Sequence, residues 1–216
     1  NQKLFRVSRV EDHSLDPVIE DQVIQRLEKI SPNVQGIVVS DFVYGVVTDK
    51  ILQAVQELAG RYGLLLFGDL QCSSQVGTVT RFNNFSLLCP NEREARIALQ
   101  DKDVGLELLS NKLLETTKSD RLIMKLGADG FITYDRKSSG ELVSQAFPAL
   151  SVNPVDVAGA GDSLLAVMAT GLASGESMML TSALGCCMTS IAVESMGNRS
   201  ITFEELRTSL LEVMSE

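Results

Sequence analysis

Two periods of apolar positions alternate along the chain. Gly36 to Ser40 is a short continuous apolar run, the pattern of a strand buried on both faces. Leu64 to Phe67, Phe85 to Cys89 and Arg121 to Lys125 repeat it. Lys3 to Arg9 alternates like an exposed strand, and Phe131 to Tyr134 with Glu141 to Gln145 reads as a hairpin. The intervening stretches carry helical spacing. Asp16-Pro17 opens an amphipathic helix to Ile30, with the proline early, where its missing N–H is harmless. Thr48 caps a helix to Tyr62, Asn91 caps the next, and Val104 to Thr117 forms another. Three helices finish the chain, from Ala160, from Ser177 and from Phe203.

Repeated strand–helix–strand units with buried strands predict an α/β fold: a mainly parallel central sheet with helices on both faces, as one domain over 1–216. In such sheets, ligands sit beyond the carboxyl ends of the strands. Asp41, Asp69, Asn91 and Gly127 all fall just past predicted strand ends, so the chemistry-bearing residues gather on one edge.

Composition narrows the picture. The chain has 216 residues, 44% of them hydrophobic, and only five prolines, which is enough to bury a sizeable core. A net charge of −9 argues against a nucleic-acid partner but leaves room for a small phosphorylated ligand in a local cradle. No stretch approaches the roughly 20 apolar residues of a membrane span, and the start is no charged-then-apolar leader. Cys72, Cys89, Cys186 and Cys187 lack C-x-x-C spacing and read as reduced thiols of a cytoplasmic protein. His13 is the only histidine, which rules out a histidine dyad or histidine-rich zinc site.

The stretch with the most chemistry is Val155 to Asp162, running directly into the apolar helix pattern from Ser163 to Ala169. Gly159 and Gly161 permit a tight turn and close approach of a ligand to the backbone. The first N–H groups of a helix lack internal partners and, with the helix dipole, attract anions. Asp162 places a carboxylate inside that cradle, as a general base beside developing negative charge requires. Taken alone, the octet fits an ordinary turn with a first-turn acid somewhat better. It lacks the third glycine of G-x-G-x-x-G, and the chain has no G-x-x-x-x-G-K-[ST].

Three motifs in order remove that ambiguity. Asp156-Val-Ala-Gly-Ala-Gly-Asp162 resembles the C-terminal signature of the PfkB, or ribokinase-like, carbohydrate kinases. Cys89-Pro90-Asn91-Glu92-Arg93-Glu94 resembles the family's Asn-x-x-Glu element, and Lys125-Leu126-Gly127-Ala128-Asp129-Gly130 its nucleotide-side Gly-x-x-Gly turn. Asn1 to Arg6, Ser40-Asp41-Phe42 with Gly45, and Asp156-Val157 look most like the heptose-7-phosphate kinase branch of the ADP-heptose pathway.

The resemblance implies a ribokinase-like three-layer α/β/α fold and ATP-dependent phosphorylation of a sugar or sugar phosphate hydroxyl, with D-glycero-D-manno-heptose 7-phosphate as a candidate acceptor. It implies Asp162 as catalytic base, and Gly159, Ala160 and Gly161 as the anion hole. Lys125, Gly127 and Cys186 fall at nucleotide-binding positions. Asn91 and Glu94 fall at a magnesium site that works through water, and Asp156 beside a monovalent cation such as K+. Many relatives dimerise through a lid, which makes a homodimer the corresponding expectation.

Three departures stand against it. The branch usually continues the strand ending at Asp69 with Pro-Lys, where this chain has Leu70-Gln71, so a cation is lost unless Lys125 supplies one. Cys186 replaces a residue that is commonly polar or histidine, and Val167 a residue that is commonly Gly or Ala. The first motif also falls well inside the family's domain. That leads us to expect the C-terminal two-thirds of a longer protein, with the first strands and lid missing, and it leaves a non-catalytic nucleotide-binding or scaffold fragment as the alternative.

Overall fold

The computed structural model describes residues 11, 13–71, 78–137, 139–151, 154–197 and 199–215. The expected strand at Lys3 to Arg9, and Cys72, lie outside them. Among the described residues the strands are β1 (Gly36–Asp41), β2 (Leu65–Leu70), β3 (Leu87–Leu88), β4 (Arg121–Lys125), β5 (Phe131–Arg136) and β6 (Leu142–Phe147). They form one sheet in chain order. β1 to β4 pair in parallel, while β5 and β6 add on antiparallel. The helices are α1 (Pro17–Ile30), α2 (Asp49–Tyr62), α3 (Glu92–Leu99), α4 (Leu106–Thr117), α5 (Ala160–Ala173), α6 (Met178–Glu194) and α7 (Phe203–Val213).

The strand pleat sorts the core into two layers. Leu66, Leu70, Leu88, Leu122, Met124 and Tyr134 join one cluster with Ile51 and Val55 of α2 and Leu109 and Leu113 of α4. Phe67, Leu87, Cys89, Ile123 and Phe131 join a second with Leu164, Leu165 and Met168 of α5. Helices therefore cover both faces, as the expected three-layer fold requires. Asp69 shares its pleat face with Phe67, which aims it at α5. In that second layer α5 and α6 lie very close. A Cβ on Gly171 would stand 2.5 Å from Thr181, and one on Gly185 2.6 Å from Leu164.

Sequence and structure differ at two strands. β2 runs to Leu70 instead of ending at Phe67, so Asp69 sits inside the ladder and is fully buried. β3 keeps only Leu87–Leu88 of the expected Phe85 to Cys89. Single backbone bonds continue on either side, from Ser86 N–H to Leu66 O at 2.8 Å and from Cys89 N–H to Gly68 O at 2.9 Å, but Phe85 gives its N–H to the Ser119 hydroxyl and Pro90 has none to give.

Candidate active site

α5 begins at Gly159, whose φ of 82° is the left-handed conformation that glycine adopts without steric penalty. No side chain caps its first turn. Ala160 N–H reaches the Val157 carbonyl at a long 3.4 Å, and no side chain competes with an anion for the N–H groups of that turn. Asp162 sits at the third helical position with its carboxylate accepting a 3.0 Å hydrogen bond from the Gln71 side-chain amide.

Beneath this tip lies a buried ion pair. Lys125 Nζ, from the end of β4, donates to Asp69 Oδ1 at 2.7 Å. A Cβ built on Gly161 would lie 3.5 Å from Lys125 Nζ and 3.7 Å from Asp69 Oδ2, so the pair packs against the helix tip. Asp69 Oδ2 is buried and has no hydrogen-bond partner among the described residues. Burial, reinforced by the Asp69 charge, pushes the Asp162 carboxyl above its usual range, while Lys125 and the Gln71 hydrogen bond pull it back. Burial depresses Lys125, but the attraction of Asp69 and its hydrogen bond more than offset this and leave the ammonium firmly charged. The tip thus holds a fixed cation and a carboxylate with an enhanced appetite for protons.

Lys125 lines a cavity of about 780 Å³ with Asn91, Arg93, Leu126 and Gly127. Asp162 lines a second, of about 280 Å³, with Gly159, Ser163, Gly197 and Arg199. The Lys125–Asp69 pair thus belongs to the wall of the first cavity and the Gln71–Asp162 bond to that of the second. Gly127 has a φ of 64° and open space beside it, in the turn that joins β4 to β5. Gly130 in that turn is a packing requirement instead, since a Cβ there would meet Phe147 O at 2.1 Å.

The other expected residues are spoken for in different ways. Asn91 and Glu94 close a reciprocal capping box at α3: the Asn91 side chain accepts from Glu94 N–H and the Glu94 carboxylate from Asn91 N–H, both at 2.8 Å. Asp156 ties two loops together, accepting from Ala158 N–H at 3.2 Å and Gly197 N–H at 3.1 Å. Cys186 lies in the apolar layer under β5 and lines neither cavity. Its thiol points at the Pro148 carbonyl, and burial pushes it up to about 12. Asp41 is taken up by Arg81, whose guanidinium donates to it at 3.0 Å. Among the described residues, no cluster of three or more His, Cys, Asp or Glu is disposed to hold a metal, and no helix is long and apolar enough to cross a membrane. Cys89, Cys186 and Cys187 are free thiols.

Sequence reasoning missed the role of Gln71, which it registered only as a lost lysine, and that of Arg81, which lies 40 positions from Asp41. Only the pleat parity of Asp69 and Gln71, counted back from the buried Phe67, hints that both face α5.

Known proteins resemble this chain in sequence and in fold. The chain is 28% identical over 210 residues to the bifunctional protein HldE of Trichlorobacter lovleyi, covering 95% of this chain and 41% of that protein. It is 27% identical over 211 residues to HldE of Campylobacter jejuni, with 96% and 43% covered. The chain thus spans about two fifths of the length of the curated relatives it matches. Phosphofructokinase-2 from Escherichia coli in complex with potassium superposes with a TM-score of 0.76 at 18% identity, over 93% of this chain and 64% of that one. Arabidopsis thaliana ribokinase complexed with ribose and ATP gives 0.67 at 18% identity, over 96% and 61%. The model of the pfkB family of carbohydrate kinases matches residues 15–205. That match spans both layers of the core and the whole of the α5 tip, and the chain belongs to this family.

Proposed function

We propose that the chain carries the nucleotide side and the catalytic base of an ATP-dependent kinase acting on a sugar or sugar phosphate hydroxyl. The observation that carries this is the uncapped tip of α5, with Asp162 in its first turn and the Lys125–Asp69 pair packed beneath. The γ-phosphoryl group of ATP lies against the N–H groups of Gly159, Ala160 and Gly161. Asp162 takes the proton of the acceptor hydroxyl as its oxygen bonds to phosphorus, and the bond to the β-phosphate oxygen breaks to release ADP. Little else is asked of the protein than positioning and stabilisation of charge. Lys125 and Gly127 serve the nucleotide from the larger cavity. Cys186, which the resemblance puts at the adenine position, contributes packing in the apolar layer and no direct contact from either cavity wall.

Magnesium fits this donor set only indirectly. Glu94 is 5% exposed and engaged in its capping box, so it would hold the ion through water, as magnesium commonly permits, with Asn91 beside it. When bound, the ion neutralises phosphate charge. Asp156, which ties its own loop to Gly197, is the place the family resemblance implies for a monovalent cation such as K+.

For the acceptor, the motifs at Ser40-Asp41-Phe42 and Asp156-Val157, together with the HldE relatives, favour D-glycero-D-manno-heptose 7-phosphate. The test is ADP release coupled to a panel of sugars and sugar phosphates, including this heptose. Transfer to one of them, abolished in Asp162→Asn, supports the proposal. Nucleotide binding with ADP release no faster than background ATP hydrolysis on every acceptor overturns it in favour of a non-catalytic nucleotide-binding module.

A further inference from the structure

Gln71 is anchored at both ends. Its backbone N–H donates to the Asp41 carbonyl at 2.8 Å, extending the β1–β2 ladder, and its side-chain Nε2 donates to Asp162 Oδ1 at 3.0 Å. It stands two residues beyond Asp69, on the pleat face that meets α5. From this we infer that Gln71 is the positioning residue of the reaction: its amide holds one carboxylate oxygen of Asp162, so that the other is presented to the acceptor hydroxyl. The inference rests on the kinase reading of Asp162.

The choice of an amide has a chemical consequence. An ammonium in the same place would fix the carboxylate equally well but would also stabilise its charge and weaken it as a base. A neutral amide donor supplies direction with a much smaller loss of basicity. It can also turn its carbonyl to accept from the carboxylic acid once Asp162 has taken the proton. The other groups around Asp162 are already fixed. Asp69 and Lys125 lie beneath from β2 and β4, and Arg199 lines the same cavity from the segment after α6 but is held by Glu205 at 2.8 Å. The cation of the site thus reaches it from β4, below the helix tip, and an uncharged residue faces the base.

Two variants separate positioning from mere packing. Gln71→Leu removes the donor, and Gln71→Lys replaces it with a charged one. The first readout needs no turnover: the Asp162 carboxyl titration is followed by carbon NMR in the intact chain and assigned by its loss in Asp162→Asn. Gln71→Leu is expected to move that titration to higher pH and Gln71→Lys to lower pH, with a folded spectrum in both. The second readout is kinetic, on the acceptor found in the panel. Gln71→Leu is expected to lower kcat about ten-fold, the scale of one hydrogen bond to a charged group, with KM for ATP little changed. The acid limb of its pH profile should move upward. An Asp162 titration unmoved by both variants overturns the inference, whether or not the chain proves to be a kinase. So does a Gln71→Leu kcat equal to the parental one. Absence of any transfer by the parent defeats the kinase reading alone, and the NMR titration still decides whether Gln71 governs this carboxylate.

Discussion

Helices α3, α5 and α7 each carry an acid at the third helical position, and α3 and α5 treat their open ends in opposite ways. α3 consumes its own: Asn91 and Glu94 satisfy each other's backbone N–H groups at 2.8 Å, and Glu94 is buried in doing so. α5 has a glycine where α3 has an asparagine, and its acid turns away from the backbone to meet Gln71. The same local resource, several unpaired N–H groups and a partial positive charge, is spent on stability in one helix and left available in the other. What sets the α5 tip apart is the pairing of a third-position acid with a missing cap, since α4 also lacks a side-chain cap but carries no acid there.

The comparison can be broken most decisively at Asp162. Asp162→Asn is expected to reduce turnover by roughly 10²–10⁴-fold, the scale of general-base catalysis, with nucleotide binding kept. Steady-state kinetics and nucleotide titration check both halves. The same variant carries a stability prediction of opposite sign. Asp162 has a raised pKa, so the folded state holds that proton more readily than the unfolded chain, and the charged carboxylate opposes folding above its folded pKa. Asp162→Asn is therefore expected to melt at or above the parental temperature at pH 7. That advantage should shrink as the pH falls through the folded pKa towards 3.8, as thermal melts across the range would show.

Next in size is the ion pair. Lys125→Met leaves the fully buried Asp69 charge without its counterion and is expected to cost about 3–5 kcal/mol. Lys125→Met with Asp69→Asn should recover a large part, and denaturant unfolding of the two variants measures the difference. At Gly159 an added Cβ has to occupy φ 82°, which costs about 1–2 kcal/mol. Gly159→Ala is expected to show this in unfolding and to weaken anion binding as well. The smallest effect belongs to the other helix. Asn91→Ala removes a cap worth about 1 kcal/mol, and a melt that does not move would mean the α3 box contributes nothing and the contrast is false.

Much of this was legible before any coordinates. The strand and helix periods predicted the layers, and the caps expected at Thr48 and Asn91 each accept a backbone N–H at a helix start. The glycine loop and Asp162 were legible too, because a turn running into an apolar helix is a local pattern. Partnerships across the sheet were not. Lys125 and Asp69 are 56 positions apart and Gln71 and Asp162 are 91 apart, and no period or spacing links them.

What the sequence determined by itself is the set of elements and the open helix tip, since both follow from neighbours a few positions apart. Tertiary structure decided which charges face that tip. Stacking β4 two strands from β2, beneath α5, carried a lysine to a site whose own strand offers only a glutamine, and pleat parity turned Asp69 and Gln71 towards Asp162. Distance in the chain and distance in space are unrelated once a sheet has formed, and the electrostatics of a site depend on the second.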